Sequence, residues 1–95
     1  EDVAGSLPLA FELSQNHPNP FNPSTVVRYA LPVSGDVSIV VYNSLGQEVA
    51  TIVNGYQEAG RHTVTFDATK LTSGVYFYRL VSGTFAETRK MILVK

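Results

Sequence analysis

The sequence contains no cysteine and no tryptophan, and charged residues make up only 16% of it. Without cysteine the chain can form neither a disulfide nor a thiolate metal site. No apolar run approaches the roughly 20 residues that a helix needs to cross a bilayer. Helical periodicity is also missing, because apolar residues recur at every second position. These absences exclude a disulfide framework and a membrane-spanning helix, and they favour an all-β chain.

The length of 95 residues is typical of one domain. Such a chain can bury one thin core but has no room for a deep substrate cavity as well. The first six residues, EDVAGS, have the composition of a linker and do not resemble a secretory signal. We therefore expect a linker at 1–6 and a single folded domain at 7–95.

Charge is distributed unevenly along the chain, although the net charge is only −1. Residues 1–60 contain one base and six acids, whereas residues 61–95 contain six bases and two acids. This asymmetry indicates either a sheet protein whose strands pair opposite charges or a basic face offered to a partner. Four bases lie in the last two predicted strands: Arg79, Arg89, Lys90 and Lys95. They are too few and too dispersed to indicate nucleic-acid binding.

Alternating apolar residues predict seven strands, separated by short turn-forming segments. The strands are LAFEL, STVVRYAL, DVSIVVYN, QEVATIV, RHTVTF, GVYFYRLV and FAETRKMILVK. The turns are expected at 32–36, 43–47, 54–61, 72–74 and 82–84, with residues 67–74 crossing between sheets. Gly46 and Gly83 are expected to supply positive φ in hairpin turns. The pattern predicts an all-β, seven-stranded antiparallel immunoglobulin-like β-sandwich, without the Cys and Trp of antibody domains.

The third and fifth strands are expected to turn one set of side chains inward. In every strand the side chains that share one face follow from the alternation. They are Leu9, Phe11 and Leu13; Thr25, Val27, Tyr29 and Leu31; Val37, Ile39 and Val41; His62, Val64 and Phe66; Tyr76, Tyr78 and Leu80; and Arg89, Met91 and Leu93. Val49 lies at the centre of the short fourth strand.

The stretch QNHPNPFNPST, residues 15–25, carries three prolines and can form neither a helix nor a central strand. It is expected to be a stiff connector between the first two strands, with asparagine side chains bonding open backbone groups. Phe21 is expected to fill the end of the sandwich. The other interpretation is a docking epitope, because proline-rich extended segments are good ligands.

Few residues suggest chemistry. His17 and His62 have no metal-ligand partner at a suitable spacing, no nucleophile-elbow motif surrounds a serine, and the carboxylates are scattered. His62 is expected to be a hydrogen-bonded structural residue. The sequence therefore predicts no enzyme and no cofactor, and leaves open a Ca²⁺ ion weakly held by loop carbonyls. A sugar-binding face could use five aromatic residues: Tyr42, Tyr56, Tyr76, Phe77 and Tyr78.

Four ordered blocks resemble the type A carboxy-terminal sorting domain of the type IX secretion system, an immunoglobulin-like module related to that of flagellar hook-capping proteins. The blocks are LPLAFELSQNHPNPFNPSTVVRYALP, VVYNSLGQEVATIV, AGRHTVTFDATKLTSGVYFYRL and KMILVK. The resemblance implies a non-catalytic signal that follows a cargo protein and is read by the outer-membrane translocon and its shuttle components. A surface sortase then removes the signal, and can join the cargo to anionic lipopolysaccharide.

The resemblance also implies which residues are recognised. The family's G-x-Y block corresponds to Gly74, Val75 and Tyr76. Its terminal block corresponds to Lys90, Met91, Ile92, Leu93, Val94 and Lys95. A terminal strand can present an accessible edge to a partner, and cleavage is expected before Leu7. The alternatives are a structural spacer that stays in the mature protein and a carbohydrate-binding module appended to a secreted enzyme.

Overall fold

Seven antiparallel strands and no helix make up the chain in the computed structural model, which describes residues 7–95. The strands are β1 (Glu12–Leu13), β2 (Ser24–Leu31), β3 (Gly35–Asn43), β4 (Glu48–Gln57), β5 (Gly60–Asp67), β6 (Gly74–Ser82) and β7 (Phe85–Leu93). The predicted linker at 1–6 lies outside the described residues. Among residues 7–95, no helix is long and apolar enough to cross a membrane.

The strands form two sheets, which confirms the predicted antiparallel sandwich. The first sheet has the order β1-β2-β5 and the second has the order β4-β3-β6-β7. Constant-type immunoglobulin domains place their fourth strand in the first sheet, whereas here β4 joins the second. The segment between β5 and β6 crosses from one sheet to the other, as expected.

Between the sheets lies a core of alternating side chains from β2, β3, β6 and β7. The largest fully buried ones are Tyr78, Leu13, Leu31, Ile39, Leu80, Met91, Leu93, Val27, Val41 and Thr25. The shared faces predicted for β2 and β6 and the inward face predicted for β3 all lie on the core, since every residue assigned to them is buried. The alternation works here because each of these strands has one face on the core and one toward solvent.

Two predicted strand boundaries were wrong. The first strand is only two residues long, and Leu9, expected to share a face with buried Leu13, is fully exposed. The fourth strand runs to Gln57, through residues predicted to form a turn. Its pairing with β3 contains two register shifts, near Ile39 and Val41. Beyond them Asn54 and Gly55 pair in regular register with Ser38 and Val37.

Both predicted hairpin glycines adopt positive φ, 84° at Gly46 and 59° at Gly83. In the first hairpin the Asn43 side-chain oxygen accepts hydrogen bonds from the backbone N–H of Leu45 and of Gln47, at 2.9 and 3.0 Å. An asparagine at the strand end therefore closes the turn that the glycine makes sterically possible.

Residues 14–23, here called the connector, lead from β1 to β2 and pack on the core as expected. Phe21 is only 2% exposed and its ring lies 6.4 Å from that of Phe66. Buried Asn16 donates to the Thr25 hydroxyl at 2.9 Å and to the carbonyl of Pro18 at 3.2 Å. These bonds satisfy polar groups inside the connector, which confirms the role expected of its asparagines.

Candidate functional site

The terminal block, Lys90–Lys95, alternates between the core and the solvent. Met91 and Leu93 are buried, whereas Lys90, Val94 and Lys95 are exposed and Ile92 is half-buried. Because β7 has one face on the core, the strand period of two divides the block in this way. Only part of the predicted recognition set is therefore accessible to a partner in the folded domain.

The connector occupies the outer edge of the terminal block. Phe21 N–H donates to the carbonyl of Ile92 at 2.9 Å, and Val94 N–H donates to the carbonyl of Phe21 at 3.0 Å. The Asn19 side-chain oxygen accepts from Ile92 N–H at 2.9 Å. Gln15 donates to the carbonyl of Lys90 at 2.6 Å. The backbone groups that would face solvent on an open edge are thus paired inside the domain.

This pairing corrects the expectation that the terminal strand presents an accessible edge. An edge strand can accept another strand only while its outward N–H and C=O groups are free. In the terminal block, the C=O of Lys90, the N–H and C=O of Ile92 and the N–H of Val94 already have partners in the connector. A second strand could therefore add here only after the connector had been displaced.

The G-x-Y block is divided in the same way. Tyr76 is 6% exposed and points into the core, and its hydroxyl donates to the carbonyl of Thr72 at 2.7 Å. This is the tyrosine-corner arrangement, in which a tyrosine at the start of the sixth strand bonds backbone a few residues upstream. The alternation of β6 did not predict this hydrogen bond, although a tyrosine two residues after the crossover is a signal for it. Tyr76 therefore fixes the crossover in place.

Val75 lies on the opposite face and joins the two blocks. It is 39% exposed and sits directly across from Ile92 in the pairing of β6 with β7. Phe77 is the cross-strand partner of Lys90 on the same outer face. Directly opposed side chains lie close enough to contact one another. With Val94, these residues form a surface that we call the outer patch: Val75, Phe77, Lys90, Ile92 and Val94.

The last residue holds the crossover to the end of the domain. Lys95 N–H donates to the Ser73 hydroxyl at 2.9 Å, and the Lys95 ammonium donates to the carbonyl of Thr69. Nearby, hydrogen bonds from the Thr69 side chain and backbone lower the pKa of the Asp67 carboxyl, and the Lys95 charge adds to the effect. The terminal block, the crossover and the connector therefore meet at one end of the sandwich.

Tyr78 links β6 to the start of the connector. Its side chain is fully buried, and its hydroxyl donates to the carbonyl of Ser14 at 2.6 Å. Burial raises the pKa of this phenol, because the charged form would lose its hydration. Arg89 Nε donates to the carbonyl of Leu13 at 2.8 Å, one residue earlier. The start of the connector is thus tied to β6, and the end of β1 to β7.

The four bases predicted near the chain end do not gather into one basic face. Arg79 and Lys90 lie on the outer face of the second sheet, whereas Arg89 contacts Glu87 at 3.2 Å and Lys95 lies at the end of the sandwich. Arg61 and Glu12, one from each half of the chain, approach to 3.8 Å.

The other candidate residues are dispersed. His62 stacks on Tyr29 with ring centroids 5.1 Å apart, and its Nε2 lies 2.7 Å from the carbonyl of Glu58, as expected of a structural histidine. Among residues 7–95 there is no group of three or more His, Asp or Glu side chains able to hold a metal ion. Of the five aromatics proposed as a sugar-binding face, Tyr76 and Tyr78 are buried in the core.

Comparison with known protein families matches residues 16–95 to the secretion system C-terminal sorting domain. No curated protein and no solved structure gives a significant match. The family consists of sorting signals of the type IX secretion system, which are generally non-catalytic. Because the match covers most of the chain, the chain belongs to this family and is a type IX sorting signal for export through the outer membrane to the cell surface or the medium.

Proposed function

We propose that the secretion machinery reads this domain in its folded state, through the outer patch. The single observation that carries the proposal is the position of the connector over the terminal block. With the edge paired and Met91 and Leu93 in the core, only side chains on the solvent face are left for a partner. That face combines exposed Val75 and Val94 with the cation of Lys90.

Within this proposal the nine predicted recognition residues have two roles. Val75, Lys90, Ile92, Val94 and Lys95 supply accessible side chains, whereas Gly74, Tyr76, Met91 and Leu93 maintain the fold that presents them. The partners expected from the resemblance are the outer-membrane translocon and its shuttle components. Exposed apolar side chains beside a positive charge are suited to bind the surface of another protein.

Cleavage and anchoring are further parts of the proposal. A cut before Leu7, in the linker-like residues 1–6, would release the domain from an upstream cargo, which a surface sortase could then join to anionic lipopolysaccharide. Leu7 and Leu9 are both exposed, and the first strand begins only at Glu12. Exposed chain without strand pairing is the kind of segment that proteases and transpeptidases use.

The test fuses residues 1–95 to a reporter in a host that has this export system. The double variant Val75→Ser, Ile92→Ser should abolish surface delivery while thermal unfolding of the purified domain shows that it still folds. The matched control for the Ile92 replacement is Val26→Ser, which is also half-buried but lies on the outer face of the first sheet. Full delivery of a folded double variant would contradict the outer patch as the reading surface.

Deletion of Lys90–Lys95 tests whether delivery depends on the terminal block. It should stop delivery, because it removes both the accessible side chains and two core residues. Delivery that survives the deletion would instead favour a structural module that travels with its cargo. Mass spectrometry of the delivered reporter then locates the cut, and a cut after residue 7 would contradict the proposed boundary.

Carbohydrate binding is the second candidate, supported by one feature of the outer face. Tyr42 and Phe77 are cross-strand partners there, and with Arg79 and Thr88 they line a shallow depression of about 300 Å³. Rings beside a cation suit a sugar that carries an acidic group. Binding to a glycan array that Phe77→Ala removes would support this function, and absence of binding would contradict it.

A further inference from the structure

The two sheets have four edges, formed by β1, β5, β4 and β7. An edge strand exposes unpaired backbone groups that can pair with another chain. Soluble proteins usually protect such edges by short strands, bulges, lysine or proline residues, or a covering segment. A comparison of the four edges shows which of them are protected.

Three of the edges carry such a feature. β1 is only two residues long. The pairing of β4 with β3 is interrupted by two register shifts, which twist and bend the strand. The outer edge of β7 is paired with the connector near its end, through Phe21 and Asn19.

The edge formed by β5 has none of these protections. Gly60–Asp67 pairs with β2 over all eight residues without a register shift. Its sequence, GRHTVTFD, contains neither proline nor lysine. Within residues 7–95, no second strand pairs with it. A long, regular and open edge of this kind is a surface for strand addition.

The sequence of β5 is complementary to itself. We propose that β5 pairs antiparallel with β5 of a second copy of this chain, about a two-fold axis at Val64. In that register Arg61 lies opposite Asp67 of the second copy, because each is three positions from the axis. Thr63 lies opposite Thr65, and both pairings occur twice by symmetry. Opposite charges and paired threonines are favourable cross-strand neighbours.

The contact of Arg61 with Glu12 and those of Asp67 with Thr69 are compatible with this pairing. Arg61 approaches Glu12 at 3.8 Å, and both side chains of that ion pair are about half exposed or more. Such a surface contact is weak. Both hydrogen bonds from Thr69 to Asp67 end on Oδ1, and a carboxylate has a second acceptor oxygen.

Pairing would join two three-stranded sheets into one continuous sheet of six strands. The contact consists of two edge strands and lies at the small end of protein interfaces, below about 1,200 Å². It is therefore a weak association, and it becomes significant where copies are held at high local concentration. It is independent of how the secretion machinery reads the domain.

The test measures sedimentation equilibrium of the 95-residue chain at concentrations up to about 1 mM, where a millimolar dissociation constant is detectable. The wild type should show a monomer–dimer equilibrium. Arg61→Asp and Asp67→Arg should each weaken dimerisation at least about tenfold, because like charges then face each other across the axis. An equimolar mixture of the two variants should restore dimerisation, since every cross-axis pair is again of opposite sign.

Two charge-matched controls lie elsewhere. Arg79→Asp on β6 and Glu48→Arg on β4 make the same changes in net charge and should leave dimerisation within about twofold of wild type. A chain that stays monomeric at every concentration overturns the proposal. That result would also be expected if the edge bound a strand of another protein instead of a second copy. A mixture that associates no better than either variant alone also overturns it. The mixture arm distinguishes lost pairing from lost folding, because a misfolded variant would not be rescued.

Discussion

Replacement of Phe21 by alanine tests whether the connector is part of the core. Phe21 is 2% exposed and lies against Phe66. A phenylalanine that buries about 150–200 Å² contributes about 4–5 kcal/mol at about 25 cal/mol per Å². Alanine retains a small part of that burial, while the cavity left behind adds to the loss. We therefore expect the free energy of unfolding to fall by about 3–5 kcal/mol.

Urea denaturation of the 95-residue chain measures this change, with Asn22→Ala as the control. Asn22 is the exposed neighbour of Phe21, so its replacement should change the free energy of unfolding by about 0.5 kcal/mol or less. Hydrogen exchange gives a local measurement. The amide of Val94 donates to the carbonyl of Phe21, and it should lose protection more than the amide of Val41 in central β3.

Two results would refute the reasoning. A loss below about 1 kcal/mol would mean that Phe21 is not a well-packed core residue. Equal loss of protection at Val94 and Val41 would mean that the connector does not hold the terminal block locally. In that case the connector would also not protect the outer edge of the terminal block.

Three further predictions concern hydroxyl and carboxyl groups. Tyr76→Phe should lower the free energy of unfolding in urea by about 0.5–1.5 kcal/mol, because it removes the tyrosine-corner hydrogen bond, whereas exposed Tyr56→Phe should be neutral. Because the pKa of Tyr78 is raised in the folded state, its contribution to stability is complete below the unfolded pKa near 10. That contribution is lost as pH rises through the folded pKa. Unfolding measured as a function of pH should therefore show a smaller alkaline loss of stability for Tyr78→Phe. The Thr69 hydrogen bonds lower the pKa of Asp67 and so stabilise the fold above the unfolded pKa of about 3.9. This stability is lost as pH falls through the folded pKa. Asp67→Asn should remove that acid dependence from the free energy of unfolding.

The alternation of β2, β3 and β6 was enough to predict strands, faces and most of the core. In a strand with one buried face, every second residue lies on the core and is therefore apolar. The limits of β4 could not be predicted in the same way, because Asn54 and Gly55 are turn formers in isolation. They continue the strand because Ser38 and Val37 of β3 pair with them.

The candidate site shows the same division. The family blocks and the inward positions of Tyr76, Met91 and Leu93 could be read from the sequence. The covering of the terminal edge by the connector could not be predicted from the sequence. Phe21 and Ile92 are separated by more than 70 residues, and no local pattern indicates which distant segments pair. The tyrosine corner could have been predicted from the sequence, since it depends on a tyrosine a few residues after the crossover.

By itself, the sequence determined the all-β class, the faces of the central strands, the glycine turns and the membership of a sorting-domain family. These follow from local rules, since each depends on residues that are close in the chain or on blocks in a fixed order. Only the tertiary structure decided which edges stay open, because an edge is defined by the absence or presence of a distant segment beside it. The connector pairs with β7 while β5 has no neighbour beyond β2 among the described residues.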